Sequence, residues 1–268
     1  MSNSDAASAL LTAINLDRFP EIEARHNPDV LFNSFRGPTL RGSVNVGDWH
    51  REFLSEYADC SYGDVETLED GDAVACRATI EAKAYDWRAF TQRVLEVMDF
   101  EEGGIESRRL YGMLRDVEFD KPANAAMDNA KGYRGGSASA TKRTVEAAFT
   151  ALLANDFEAA KPHFHDKSVV IDGVYGLASG FDKIAAHLAA VPQPAFGVAR
   201  ATVVLASDHD AVVEVAIDPT RPRAAHWVRL VDGKVIVIET YWMLREIGVR
   251  YDVTYDRDRH ARKVILPI

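Results

Sequence analysis

The sequence predicts an α+β protein made of two tandem domains, each with three helices packed on a curved antiparallel sheet. Three observations carry that expectation: an internal repeat, a recurring order of elements, and a linker-like stretch between the repeats. The repeat is read directly. Residues 110–117 are LYGMLRDV and residues 240–247 are TYWMLREI. Tyr111 and Tyr241, Met113 and Met243, Leu114 and Leu244, and Arg115 and Arg245 all lie 130 positions apart. At the same spacing Gly103 meets Gly233, Ile105 meets Val235 and Phe100 meets Leu230. Earlier in each half the spacing shifts, so that Asn33 meets Asp172, Gly37 meets Gly176 and Asp72 meets Asp210. A hairpin that is longer around Tyr85–Ala89 than around Pro219–Ala224 accounts for the shift.

The second half shows the element order most clearly. Thr144–Ala154 has the helical period, with Val145, Ala148, Phe149 and Leu152 on one stripe. Asp156 opens a second short helix, Phe157–His165. Ser168–Asp172 reads as a short strand, and a helix runs from Gly180-Phe-Asp through Leu188 with Asp182 as its N-cap. The strands Gly197–Ala206, Ala211–Ile217 and Ala225–Val231 follow, and an Asp232-Gly233 turn leads into Val235–Leu244. Helices followed by a meander of long strands make an α+β plan. The segment 119–140, rich in Gly, Ala, Ser and Asn, has linker composition. The expected organisation is therefore a first domain at 1–118, a linker at 119–140, a second domain at 141–249 and a tail at 250–268. That tail ends in the apolar VILPI, so it is expected to pack on the body or on a partner.

Composition removes several function classes. A formal net charge of −10 over 268 residues argues against nucleic acid as a partner, because that binding neutralises phosphates with Lys and Arg. It also argues against an anionic membrane surface. No apolar run of about 18 residues occurs, so no membrane-spanning segment is expected. The N-terminal stretch lacks the charge and apolar core of a secretory signal. With only Cys60 and Cys76, a reduced cytoplasmic protein is expected. GxGxxG, P-loop, GxSxG and CxxC motifs are absent from the sequence, which leaves nucleotide cofactors and hydrolase triads without support.

The run of helix, NDF-type turn, helix, apolar strand ending in Asp, helix, meander, Asp-Gly turn and a strand ending in an aromatic pair resembles the nuclear transport factor 2-like, or SnoaL-like, superfamily. Ketosteroid isomerase, scytalone dehydratase and limonene epoxide hydrolase are relatives. The resemblance covers roughly 20–118 and 141–247, and it implies two cone-shaped α+β barrels, each around an apolar pocket. Taking the Asp232-Gly233 turn as a three-residue loop with a bulge sets Leu230 opposite Lys234 and His226 opposite Ile238. One face then holds His226, Val228, Leu230, Ile236, Ile238, Thr240 and Trp242, and the resemblance makes it the concave one. The other face holds Trp227, Arg229, Val235, Val237, Glu239 and Tyr241, apolar enough to press on another sheet within the chain or in a homo-oligomer. Asp172 matches the position where ketosteroid isomerase-like members carry their general base. Burial raises a carboxylate's basicity, and His226 is placed to exchange a second proton. The position of the isomerase's oxyanion-stabilising Tyr reads Ala148 or Phe149 here, which departs from that mechanism.

In the first half Asn33 replaces the acid. The same turn alignment sets Glu96 opposite Arg108 on the concave face, with Met98, Phe100 and Leu110. An ion pair inside an apolar cone is costly to desolvate, so such a pair is a candidate for function. Its plain alternative is a different turn register with both groups in solvent, and for Asp172 a turn carboxylate bonding its own backbone. His163 and His165 beside Asp166 have an H-x-H look, but no third ligand with suitable spacing follows, so no metal is expected. Trp49 and Phe53 read as core. The expected function is cofactor-independent acid/base chemistry, of lyase, dehydratase or isomerase type. Its substrate would be an apolar aromatic or cyclic small molecule, with Asp172, His226, Glu96, Arg108 and Asn33 catalytic. Met98, Phe100, Leu110, Ile238, Thr240 and Trp242 would line the substrate. Epoxide opening and simple ligand binding are the alternatives.

Overall fold

The structure is a computed structural model that describes residues 2–35, 38–55, 58–83, 89–113, 120–130, 136–190, 199–217 and 221–247. The chain divides into two compact units, Met1–Leu114 together with Met243–Ile268, and Arg115–Trp242. Gly37, Leu114, Arg115 and the tail 250–268, all used in the sequence reading, lie outside the described residues, as do most of the two hairpins invoked for the spacing shift.

The first unit opens with α1, Asn3–Asn15, closed at its N-terminus by a capping box in which Ser2 and Asp5 bond each other's backbone. Its apolar stripe buries Ala7, Leu10, Leu11 and Ile14. Then come α2 (Phe19–Ala24), β1 (His26–Ser34), β2 (Leu40–Arg41) and α3 (Ser43–Ser55). α3 buries Val46, His50, Phe53 and Leu54, the spacing of one helical face. The meander is β3 (Ala58–Asp70), β4 (Ala73–Lys83), β5 (Ala89–Glu101) and β6 (Gly104–Gly112). Within the unit the strands run β2-β1-β6-β5-β4-β3, with β1 parallel to β6 and the others antiparallel. The 3-10 turn Leu244–Ile247 belongs to this unit as well.

The second unit comprises α4 (Asp120–Asp128), α5 (Ala138–Leu153), α6 (Phe157–Ala160), β7 (Phe164–Asp172), β8 (Gly176–Ser179), α7 (Phe181–Ala190), β9 (Arg200–Ala206), β10 (Asp210–Ala216), β11 (Pro222–Val231) and β12 (Lys234–Trp242). Its strands run β8-β7-β12-β11-β10-β9, again with one parallel pair, β7 on β12. α5 and α7 cover one sheet face, where Val145, Phe149, Ile184, Val213, Val228, Leu230, Val235 and Ile238 form the core. The α+β class and the curved antiparallel sheets agree with the expectation from the sequence.

Several local readings change. α5 starts six residues earlier than the periodicity suggested, because Ser137 Oγ caps it on Ala140 N. The expected helix Phe157–His165 breaks into α6 and a 3-10 turn, Lys161–His163, and β7 begins at Phe164. Asp182 sits inside the first turn of α7 rather than at its cap. The linker-like segment contains α4, which packs on β7 and β12.

The hairpin register also differs. Val231 faces Lys234, Leu230 faces Val235, and His226 faces Thr240 instead of Ile238. Asp232 and Gly233 both have positive φ, 50° and 72°, so the turn is a two-residue type I′ loop and the bulge lies upstream at Arg229/Leu230. Between the bulge and the turn the face assignments on β12 invert. Val235 joins the core in place of Ile236, whereas His226, Val228, Leu230 and Ile238 keep the expected face. The β5–β6 hairpin has the same register 130 positions earlier: Glu101 faces Gly104, Phe100 faces Ile105 and Glu96 faces Leu110.

Candidate functional site

In the first unit, β5 and β6 bring Glu96 and Arg108 to the same face of the sheet. They are not directly opposite, as the sequence alignment had them: Arg108 faces Met98 and Glu96 faces Leu110. The pair bonds diagonally, Arg108 Nε donating to Glu96 Oε1, with the two side chains 0% and 1% exposed. A second guanidinium nitrogen, Nη1, donates to His50 Nε2 at 2.6 Å, and the Phe32 ring lies under the guanidinium at 4.9 Å. α3 carries His50 on its buried face and stacks Trp49 on Phe53 at 5.1 Å beside it. The substrate-lining candidates Met98, Phe100 and Leu110 are buried on these strands.

Burial and the Arg108 charge push the His50 imidazole well below its usual range, and they hold His26 at about 3. Both rings are therefore neutral at ordinary pH. His26 Nδ1 donates to the Ile22 carbonyl at 2.7 Å, which fixes its tautomer. Burial, then the Glu96 carboxylate, raises the Tyr62 phenol. Among the described residues, the buried atoms here without a hydrogen-bond partner are Arg108 Nη2, Glu96 Oε2, His50 Nδ1, His26 Nε2 and Tyr62 Oη. Each costs roughly 1–3 kcal/mol if nothing meets it.

Asn33 does not join this cluster. The ladder pairs Asn33 with Arg109 and Ser34 with Leu110, while in the second unit Asp172 pairs with Thr240. Since Leu110 and Thr240 are 130 positions apart, Ser34 is the counterpart of Asp172 and the sequence alignment of Asn33 slipped by one. A slip of one residue moves a strand side chain to the opposite face. Phe32 underlies Arg108, so Asn33 points the other way. Its Oδ1 accepts there from Thr39 Oγ1 at 2.7 Å and from Arg245 Nη2 at 2.8 Å.

In the second unit Asp172, Thr240 and His226 form a cross-strand row over β7, β12 and β11. Thr240 Oγ1 is 3.0 Å from His226 Nδ1, and the His226 ring packs on Phe149 at 5.0 Å. Burial lowers the His226 pKa to about 4, with Asp172 opposing the shift. Asp172 Oδ1 accepts from Val174 N at 2.8 Å, Tyr175 N at 2.9 Å and Trp242 Nε1 at 2.9 Å. The first two are the backbone bonds of a turn carboxylate; the third ties Asp172 to a residue expected to line substrate. Asp172 Oδ2 lies 3.8 Å from His187 Nε2. Ile238 is buried in the core and stands where the first unit has Arg108.

The sequence reading missed His50, Tyr62 and His187. His50 was findable, because it interrupts the apolar stripe Val46–Phe53–Leu54 of α3. Tyr62 and His187 carry no comparable local signal. His163 and His165 fall on the 3-10 turn and on β7, and His165 Nδ1 accepts from Lys167 N at 3.0 Å. Among the described residues no group of three or more His, Cys, Asp or Glu is placed to hold a metal, and no helix is long and apolar enough to cross a membrane.

Residues 7–108 match the family model described as a SnoaL-like domain. The first unit carries a SnoaL-like domain. That match runs from within α1 to Arg108 and so includes His50, Glu96 and Arg108. Solved structures similar to the chain include an NTF2-like protein of unknown function from Burkholderia pseudomallei K96243, 22% identical, covering 42% of this chain and 92% of that one, with a TM-score of 0.39. IdmH of Streptomyces antibioticus, a proposed polyketide cyclase, is 16% identical over 42% of this chain and 92% of its own, with a TM-score of 0.38. A protein with a ketosteroid isomerase-like fold from Catenulispora acidiphila DSM 44928 is 14% identical over 40% and 83%, with a TM-score of 0.38. No curated protein matches the chain.

Proposed function

We propose that the chain is two copies of one domain, 1–118 and 141–249, and that it is a cofactor-independent acid/base enzyme acting on an apolar cyclic or aromatic small molecule. Chemistry is assigned to the SnoaL-like unit. The observation that carries this is the Glu96–Arg108–His50 cluster, a fully buried ion pair with unpartnered atoms at both ends. Buried ion pairs seldom stabilise a fold on balance, so a site is a better account of it than stability is.

In the reaction proposed, Glu96 takes a proton from carbon next to a carbonyl. Arg108 holds the negative charge that develops on the carbonyl oxygen, and His50 Nε2 fixes the guanidinium in place. In a dehydration the C–H and C–O bonds break, the C=C bond forms, and the proton on Glu96 leaves with the hydroxyl as water. In an isomerisation the same proton returns to another carbon. Asp172 and His226 form a second acid/base row in the other unit, supported by His187 Nε2 at 3.8 Å from Asp172 Oδ2.

The test is turnover of an aryl-substituted β-hydroxy ketone, followed by absorbance of the conjugated product. Glu96→Gln is expected to lower the rate by ~10²–10⁴-fold, the usual worth of a general base. A wild-type rate in Glu96→Gln would remove Glu96 from the chemistry, and loss of turnover only in Asp172→Asn would move it to the second unit.

A further inference from the structure

A residue near the far end of the chain bears on the first-unit cluster. We infer that Arg245 is a positioning residue: it clamps β1 to β2 and so sets where the Phe32 ring lies under the Arg108 guanidinium. This rests on the reading that Glu96 and Arg108 carry the chemistry.

Arg245 belongs to the 3-10 turn Leu244–Ile247 of the first unit, anchored by buried Met243, Leu244 and Ile247. Its Nη2 donates to Asn33 Oδ1 at 2.8 Å and to Thr39 Oγ1 at 2.9 Å. Thr39 Oγ1 in turn donates to Asn33 Oδ1 at 2.7 Å. The hydrogens balance, since Nη2 carries one for each oxygen and the hydroxyl gives its own to the amide. Asn33 is 1% exposed, so taking the charged donor from its carbonyl is unfavourable.

The clamp adjoins the cluster along the ladder. Phe32 pairs with Leu40 of β2 on one side and with Arg108 of β6 on the other. Asn33 and Thr39 are the next residues beyond Phe32 and Leu40, so the triangle closes β1 on β2 just past the point where β1 lies beside Arg108. Successive strand residues point to opposite faces. Asn33 therefore meets Arg245 while Phe32 turns its ring to Arg108 at 4.9 Å and to the His50 ring at 6.2 Å, stacked at 25°. A movement of this strand end shifts both. Reaction rates are sensitive to such placement, and about 1 Å of displacement can cost about 100-fold.

The experiment compares Arg245→Ala, Arg245→Lys and Thr39→Val with the wild type in the full chain. Turnover of the β-hydroxy ketone and the imidazole NMR signals of His50 are the readouts. Because Phe32 stacks on His50, ring current makes those signals report the position of Phe32. Arg245→Ala is expected to lower kcat roughly 10- to 100-fold with KM little changed, and to shift the His50 signals. Arg245→Lys keeps a charged donor and is expected to restore most of both. Unmoved His50 signals in folded Arg245→Ala overturn the inference, whatever happens to the urea midpoint. So does a wild-type kcat in Arg245→Ala when Glu96→Gln is impaired. Should Arg245→Ala not fold, Thr39→Val removes one leg of the triangle and is expected to shift His50 in the same direction by less; unmoved signals there overturn the inference too. A wild-type rate in Glu96→Gln would instead sink the chemical reading, and the His50 signals would still decide the clamp.

Discussion

Arg108 shows how much one side chain can determine. A fixed fork of donors meets a carboxylate, an imidazole and the face of Phe32, all inside a sheet-and-helix core. Removing either charge alone leaves the other buried without a partner, which costs about 3–5 kcal/mol. Removing both into apolar groups of similar volume is often neutral or better. Arg108→Met and Glu96→Leu are thus each expected to destabilise by about that amount in urea unfolding, with the double variant recovering most of it. Additive losses would show that the two side chains do not form one unit. The pairing was legible in the sequence because both residues sit at even positions of strands rich in apolar neighbours. His50 was less so, because its partner comes from a strand 58 residues away.

Among the elements, the two hairpin turns set the pairing of the longest strands. Glu102 and Gly103 take φ of 52° and 84°, so the turn demands the left-handed region at both positions. Glycine adopts that region freely, whereas an L residue such as Glu pays about 1–2 kcal/mol there and Asn less. Glu102→Asn is expected to raise stability by roughly 0.5–1 kcal/mol without altering the register, read from the urea midpoint at constant slope. A stability loss would mean that the Glu102 side chain does something that the turn geometry does not account for. An Asp-Gly or Glu-Gly pair is compatible with two loop lengths, and the choice between them shifts the pairing. Hence the sequence placed the hairpin but mispaired its strands, and His226 met Thr240 rather than Ile238. The faces of His226, Val228 and Ile238 survived, because a two-residue change in partner preserves side-chain alternation. A one-residue slip does not, and that is how Asn33 was assigned to the wrong face.

For the whole molecule, three buried histidines give stability a common dependence on pH. His26, His50 and His226 are neutral in the folded chain, with pKa values of about 3 for His26 and about 4 for His226 and a lowered one for His50. Unfolded, each protonates below about 6.5. The stabilisation from this source is intact above that pH. It is lost as pH falls through the window towards about 4, at up to about 1.4 kcal/mol per unit for each ring. Urea unfolding at a series of pH values checks it: His226→Leu is expected to show a shallower loss than the wild type between about 6.5 and about 4. An unchanged slope would mean that His226 is already protonated in the fold.

By itself the sequence determined the class of fold, the recurrence of its hairpins at a constant spacing, and the presence of an ion pair and two acid/base candidates on inward faces. Those properties follow from side-chain alternation and helical period, which depend only on near neighbours. The tertiary structure alone decided which atoms meet. It assigned Met243–Ile247 to the first unit, so that Arg245 reaches Asn33 across 212 residues of chain. It also set His50 against Arg108 and spent Asp172 Oδ1 on a loop and on Trp242. Such pairings rest on register and on long-range packing, where a shift of one residue exchanges one partner for another, and no local pattern records the choice.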